Sequence, residues 1–95
     1  MRVWLDDLRP APDGWVWAQT AVEAYTFLIA GNVTEISLDH DLGDGPTGYN
    51  VACYIERGAV EGWLPRLVWY IHSLNMVGVA NMRTALENAD RSWNV

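Results

Sequence analysis

A three-layer α/β sandwich is predicted for this chain of 95 residues: a four-stranded, mostly parallel sheet in spatial order 2-1-3-4, with three helices. Three observations predict it. Short apolar runs alternate with stretches of helical periodicity, the pattern of strand–helix–strand units. Three runs end in polar clusters: Val3-Trp4-Leu5 in Asp6-Asp7, Ile36-Ser37-Leu38 in Asp39-His40-Asp41, and Leu67 to Ile71 in His72-Ser73. A parallel sheet brings such ends to one edge, where open α/β sheets hold ligands.

Residues 2–5 read as the first strand. The loop from Asp6 to Gly14 is marked by Pro10, Pro12 and Asp13-Gly14. Trp15 to Ala18 is a second short strand. A loop of about nine residues is too short for a helix, but extended chain covers roughly 3.3 Å per residue. It can therefore run back and start a parallel strand, which is preferred to an antiparallel hairpin because the hairpin would send the next helix the wrong way and separate Asp39 from Asp6. Thr20 to Glu23 reads as a capping box, opening a helix to about Ala30 that Gly31-Asn32 stops. Ala21, Tyr25, Leu28 and Ile29 share its apolar face. Glu35 to Leu38 is the third strand. Gly43, Gly45 and Pro46 make the next loop, and Thr47 caps a helix whose apolar face holds Val51, Ala52, Ile55 and Ala59. Gly58 and Gly62 bracket its end. Leu67 to Ile71 is nearly all apolar, as expected for a strand covered on both faces. The last helix begins near Asn75 or Met76, with Val79, Met82, Leu86 and Ala89 as its stripe. Right-handed crossovers then set the strand order.

Size and composition narrow the function. Residues 1–95 make one domain, with 51% apolar residues and 6 tryptophans for a core. Cys53 is the only cysteine, so no internal disulfide forms; it reads as a small buried hydrophobe. Asp6 and Asp7 precede any signal-type apolar stretch, and a cytoplasmic setting is expected. The longest uncharged run, Leu67 to Met82, is broken by His72, Ser73, Asn75, Gly78 and Asn81 and cannot span a bilayer. The net charge is −6, and all 6 positive side chains are arginines. Extended nucleic-acid binding is excluded, since it needs a dense basic face. A short phosphate ligand is compatible with this charge if a divalent cation neutralises the carboxylates.

Asp6 and Asp7 alone fit a solvated turn. Asp39 and Asp41 flanking His40 at a buried strand end repel each other without a cation or a proton. Hard carboxylate ligands suit Mg2+ or Mn2+, so Asp6, Asp7, Asp39 and Asp41 are the candidate metal ligands. His40 and His72, the only histidines, both fall at strand ends and are the candidate proton-transfer groups. Arg9 is a candidate bidentate phosphate ligand or an ion-pair partner of the aspartates. The start of the last helix, with Ser73, Asn75, Gly78 and Asn81, offers N–H groups to an anion.

The segments Trp4-Leu5-Asp6-Asp7-Leu8-Arg9-Pro10, Ser37-Leu38-Asp39-His40-Asp41-Leu42-Gly43, Gly48, and His72-Ser73-Leu74-Asn75-Met76-Val77-Gly78 with Asn81-Met82 resemble the cyclic-phosphate processing receiver-like family. Leu38 to Gly45 and the helix after it resemble a receiver phosphoacceptor loop, on a flavodoxin-like fold. Ser73 falls where receivers place a hydroxyl. The chain departs from ordinary receivers in lacking the helix between the first two strands, a fifth strand and any lysine. Asn50 and Met76 stand where aspartate and proline are expected in many relatives.

The expected function is therefore a metal-dependent phosphoesterase acting on cyclic phosphates of RNA ends or small nucleotides. Asp6, Asp7 and Asp39 would hold the ion, with Asp41 adding a ligand or orienting a histidine. Two other classes stay open: an atypical receiver using Asp39 as phosphoacceptor or interaction surface, and a non-catalytic cyclic-nucleotide binder. Oligomeric state is unspecified by the sequence.

Overall fold

The computed structural model describes residues 1–95. Its elements are β1 (Arg2–Leu5), β2 (Val16–Ala18), α1 (Ala21–Ala30), β3 (Glu35–Leu38), α2 (Gly48–Glu61), β4 (Val68–Ile71) and α3 (Met76–Trp93). All four strands are parallel, in the order β2-β1-β3-β4. The receiver-like class, strand order and helix count agree with the sequence reading.

The number of layers does not. In register, Val3 lies beside Val16 and Ile36, and Leu5 beside Ala18 and Leu38. These residues are buried with Val51, Ile55, Met82 and Leu86 from the helices. The three helices pack side by side, α1 on α2 and α2 on α3, over that one face. The other face carries Arg2, Trp4, Trp17, Glu35, Ser37, Val68 and Tyr70 by strand alternation. No helix covers it, because the β1–β2 connection is too short to form one. The sandwich thus has two layers, not three. Accordingly β4 is not covered on both sides: Val68 and Tyr70 are 51% and 46% exposed.

Aromatic side chains partly close the open face. Trp15 sits edge-on to Trp4 at 6.3 Å and to Tyr70 at 6.2 Å, with the Arg2 guanidinium 5.5 Å from its ring centre. Ser37, between Trp4 and Tyr70 in register, is only 3% exposed as a result.

The caps largely follow the sequence. Thr20 Oγ1 accepts from the Glu23 N–H at 3.1 Å, but Glu23 makes no reciprocal side-chain bond, so the expected box is half formed. Thr47 N–H donates to Asn50 Oδ1 at 2.8 Å. Gly31 and Gly62 end α1 and α2 with φ of 86° and 83°, a conformation that side chains with a Cβ disfavour. No helix is long and apolar enough to cross a membrane.

Candidate functional site

The ends of β1 and β3 bring three carboxylates together. Asp6, Asp7 and Asp39 each offer an oxygen, all within 4.8 Å of one another. With Arg9, Asp41 and Leu74 they line a cavity of about 420 Å³. The parallel ladder sets this placement: Asp6 N–H donates to Ala18 O, Asp39 N–H to Leu5 O, and His72 N–H to Leu38 O, each at 3.0 Å. The next row beyond Leu5, Leu38 and Ile71 is therefore Asp6, Asp39 and His72.

The three aspartates are not equivalent. Asp6 is 1% exposed, and its Oδ1 accepts the N–H groups of Leu8 and Arg9 at 2.9 and 2.8 Å. Its Oδ2 accepts from Arg9 Nε at 2.9 Å and pairs with His72 Nε2 at 3.1 Å. All four acceptor positions of the carboxylate are thus taken. Burial pushes the Asp6 carboxyl up, but the backbone N–H groups of Arg9 and Leu8, the His72 bond and the Arg9 charge together hold it below its ordinary 3.8. Asp39 uses one oxygen to accept its neighbour's His40 N–H at 2.8 Å, and its Oδ2 lies 3.8 Å from Arg9 Nη2. The Asp7 carboxylate accepts no hydrogen bond from the protein and is free for a ligand.

Neither histidine lines the cavity, and His72 lies behind Asp6. Its Nδ1 meets Ser37 Oγ at 2.7 Å, and Trp4 stacks on its ring at 3.8 Å with planes 6° apart. Because a carboxylate accepts, Nε2 carries the proton toward Asp6, and the Ser37 hydroxyl donates to Nδ1. Burial drives the His72 pKa below 6.5, outweighing the pull of Asp6 toward the charged form. The ring is a neutral prop for Asp6.

His40 occupies the other side, against α3. Its Nδ1 is 2.8 Å from Asp41 Oδ1. The His40 bond, then one from Asn75, hold the Asp41 carboxyl below 3.8. Donation from Nδ1 to Asp41 leaves Nε2 as the basic nitrogen, and Nε2 has no protein partner. Three of the four imidazole nitrogens in the molecule are engaged with protein; this one is open. Gly78 makes room for the ring: a Cβ there would stand 2.5 Å from His40 Cγ and Cδ2.

The α3 residues expected to bind anion mostly build the helix start. Asn75 Oδ1 caps the Gly78 N–H at 2.9 Å, and Asn75 Nδ2 lies 3.3 Å from Asp41 Oδ1. Ser73 Oγ accepts the Asn75 N–H at 3.1 Å. Asn81 is exposed a turn further along and bonds to none of the site residues. Sequence reasoning missed the Ser37 and Trp4 supports of His72. The available signal was parity: Ser37 is the one polar residue in its strand core, two positions before Asp39.

Against protein-family models, residues 1–88 match the cyclic-phosphate processing receiver domain. The chain belongs to that family. No curated protein and no solved structure matches. The family assignment covers every residue of the cavity and both histidines.

The donor set of this receiver-like site fits a hard divalent cation. It offers carboxylate oxygens and no sulfur, and Asp7 is uncommitted. Octahedral Mg2+ with bonds of about 2.1 Å spans at most roughly 4.2 Å between ligand oxygens. A spread up to 4.8 Å requires only small side-chain rotations to contract.

Proposed function

We propose that this receiver-like domain is a metal-dependent phosphoesterase that opens cyclic phosphates, either at RNA ends or in small nucleotides. One observation carries the reading: an acidic cavity with a free Asp7 carboxylate is lined by Asp41, which holds the Nδ1 of His40 and leaves its Nε2 without a protein partner. When bound by Asp7, Asp39 and Asp6, Mg2+ or Mn2+ would polarise phosphoryl oxygens and lower the pKa of a bound water.

The chain's own residues supply the rest. His40 Nε2 accepts the proton of the attacking water, and Asp41 stabilises the imidazolium that forms. The new bond joins water oxygen to phosphorus. One ring P–O bond breaks, and the departing alkoxide takes its proton from solvent, giving a linear phosphomonoester. His72, with both ring nitrogens engaged by Ser37 and Asp6, acts through Asp6 as a positioning residue. It keeps that carboxylate ionised and fixed.

Incubation with a panel of cyclic phosphates and Mg2+ or Mn2+, followed by phosphorus NMR, tests this. Linear product beyond one equivalent is expected. Tight binding with the ligand recovered intact would establish a binder instead. A stable acyl phosphate on Asp39 after treatment with a small phosphodonor, without turnover, would establish the receiver alternative. No stable adduct is expected, since the chain has no lysine to pair with the phosphoryl group.

A further inference from the structure

An acidic cavity that must receive an anion poses a charge problem, and Arg9 is the only cationic side chain lining it. Its guanidinium is partly occupied. Nε donates to Asp6 Oδ2 at 2.9 Å, and Nη2 donates to the carbonyl of His72 at 3.0 Å while lying 3.8 Å from Asp39 Oδ2. Two of its five N–H groups are used, and its charge is spent on carboxylates.

Asp6, in turn, has no vacant acceptor position. Three of its four donors are fixed. The Leu8 and Arg9 backbone N–H groups belong to the turn itself. His72 is clamped by Ser37 and Trp4. The fourth, the Arg9 side chain, is 49% exposed and is otherwise held only by its Nη2 bond to the His72 carbonyl. A divalent ion that takes an Asp6 oxygen must therefore replace the Arg9 donor. Coulomb repulsion between guanidinium and metal, sharing the same carboxylates, drives the same exchange.

We propose that Arg9 is a displaceable counter-cation: it neutralises Asp6 and Asp39 until a divalent ion takes those carboxylates, and the released guanidinium then becomes the phosphate-binding group. The inference rests on the metal-dependent reading above. It goes further in tying anion binding to metal loading through one side chain. Loading turns a committed ion pair into a planar five-donor fork, the geometry suited to phosphate oxygens.

The test follows the Arg9 Nε–Hε signal by ¹H–¹⁵N NMR during titration with Mg2+ alone. Loss of the Asp6 bond should shift it and speed its exchange with solvent by about tenfold or more, the scale of a charge-assisted hydrogen bond. Inorganic phosphate should then move the signal only in Mg2+-saturated protein. Arg9→Lys keeps the charge but loses the fork, so its Mg2+ affinity by calorimetry should rise about tenfold. Saturable Mg2+ binding with an unmoved Arg9 signal overturns the exchange and leaves the metal-dependent reading standing. So does phosphate that moves Arg9 without metal, or an Arg9→Lys protein with wild-type Mg2+ affinity. No Mg2+ binding at all removes both.

Discussion

Replacing Gly78 by alanine separates what the α3 start does for folding from what it does for His40. Helix propensity alone favours the change, by up to about 1 kcal/mol. Sterics oppose it. The new Cβ would lie 2.5 Å from His40 Cγ and Cδ2 and 2.9 Å from its Cβ, whereas ordinary carbon contacts are about 3.5–4.0 Å. The ring must retreat by roughly 1 Å or more. Held in place, that overpacking costs about 1–3 kcal/mol. The His40 side chain is 19% exposed at the surface, however, and can swing out instead. Net stability should then stay within about 1 kcal/mol of wild type. The 2.8 Å bond to Asp41 cannot survive the swing. The Asp41 carboxyl should rise back toward 3.8, because the His40 bond is the main influence holding it down. Turnover of a verified cyclic phosphate should fall by roughly 10²–10⁴-fold, the usual share of a positioned base. Urea denaturation, NMR titration of His40 and Asp41, and steady-state kinetics read the three effects. A folded Gly78→Ala protein with unmoved His40 resonances and full turnover would refute the reasoning.

Four further outcomes are expected. Asp7→Asn should abolish most Mg2+ affinity with little change in urea midpoint, because no protein donor uses that carboxylate; Asp6→Ala should cost about 3 kcal/mol of stability, because it strands the paired His72 and Arg9. Ser37→Ala should destabilise by about 1–3 kcal/mol, leaving the part-buried His72 Nδ1 without its donor, with chemical denaturation as the measure. Stability should also fall in acid in two stages. His72 and Asp6 both have folded pKa values below their unfolded ones, so each contribution is fully present above the unfolded value. The first loss begins as pH falls below 6.5 (His72), the second as it falls below 3.8 (Asp6). His72→Gln should lack the first stage; an unchanged slope in that variant would assign it elsewhere.

Strand positions, helix caps and the meeting of Asp6, Asp39 and His72 at one edge were legible in the sequence. Each rests on local periodicity plus one topological rule, the right-handed parallel crossover. The short β1–β2 connection was legible only in part: nine residues exclude a helix but allow an antiparallel hairpin as well as the extended return that the parallel β1–β2 pair uses. The consequence of that missing helix was harder to read. A run such as Leu67–Ile71 is apolar whether its outer face meets a helix or aromatic side chains, so composition favoured a three-layer sandwich that the packing does not build. The site divides the same way. Residue type marked the carboxylates and histidines as chemical, but type cannot say how many acceptor positions a carboxylate has left. Asp6 and Asp7 are adjacent and identical in sequence. One is saturated by four donors, two from its own turn and two side chains, of which His72 lies 66 residues away; the other meets none. The two histidines differ for the same reason. His72 comes to rest between Ser37 and Trp4 from two other strands, and His40 on Gly78 from a helix 38 positions on. Partners that distant are assigned only when the sheet and helices close, because hydrogen-bond saturation and desolvation belong to the packed chain.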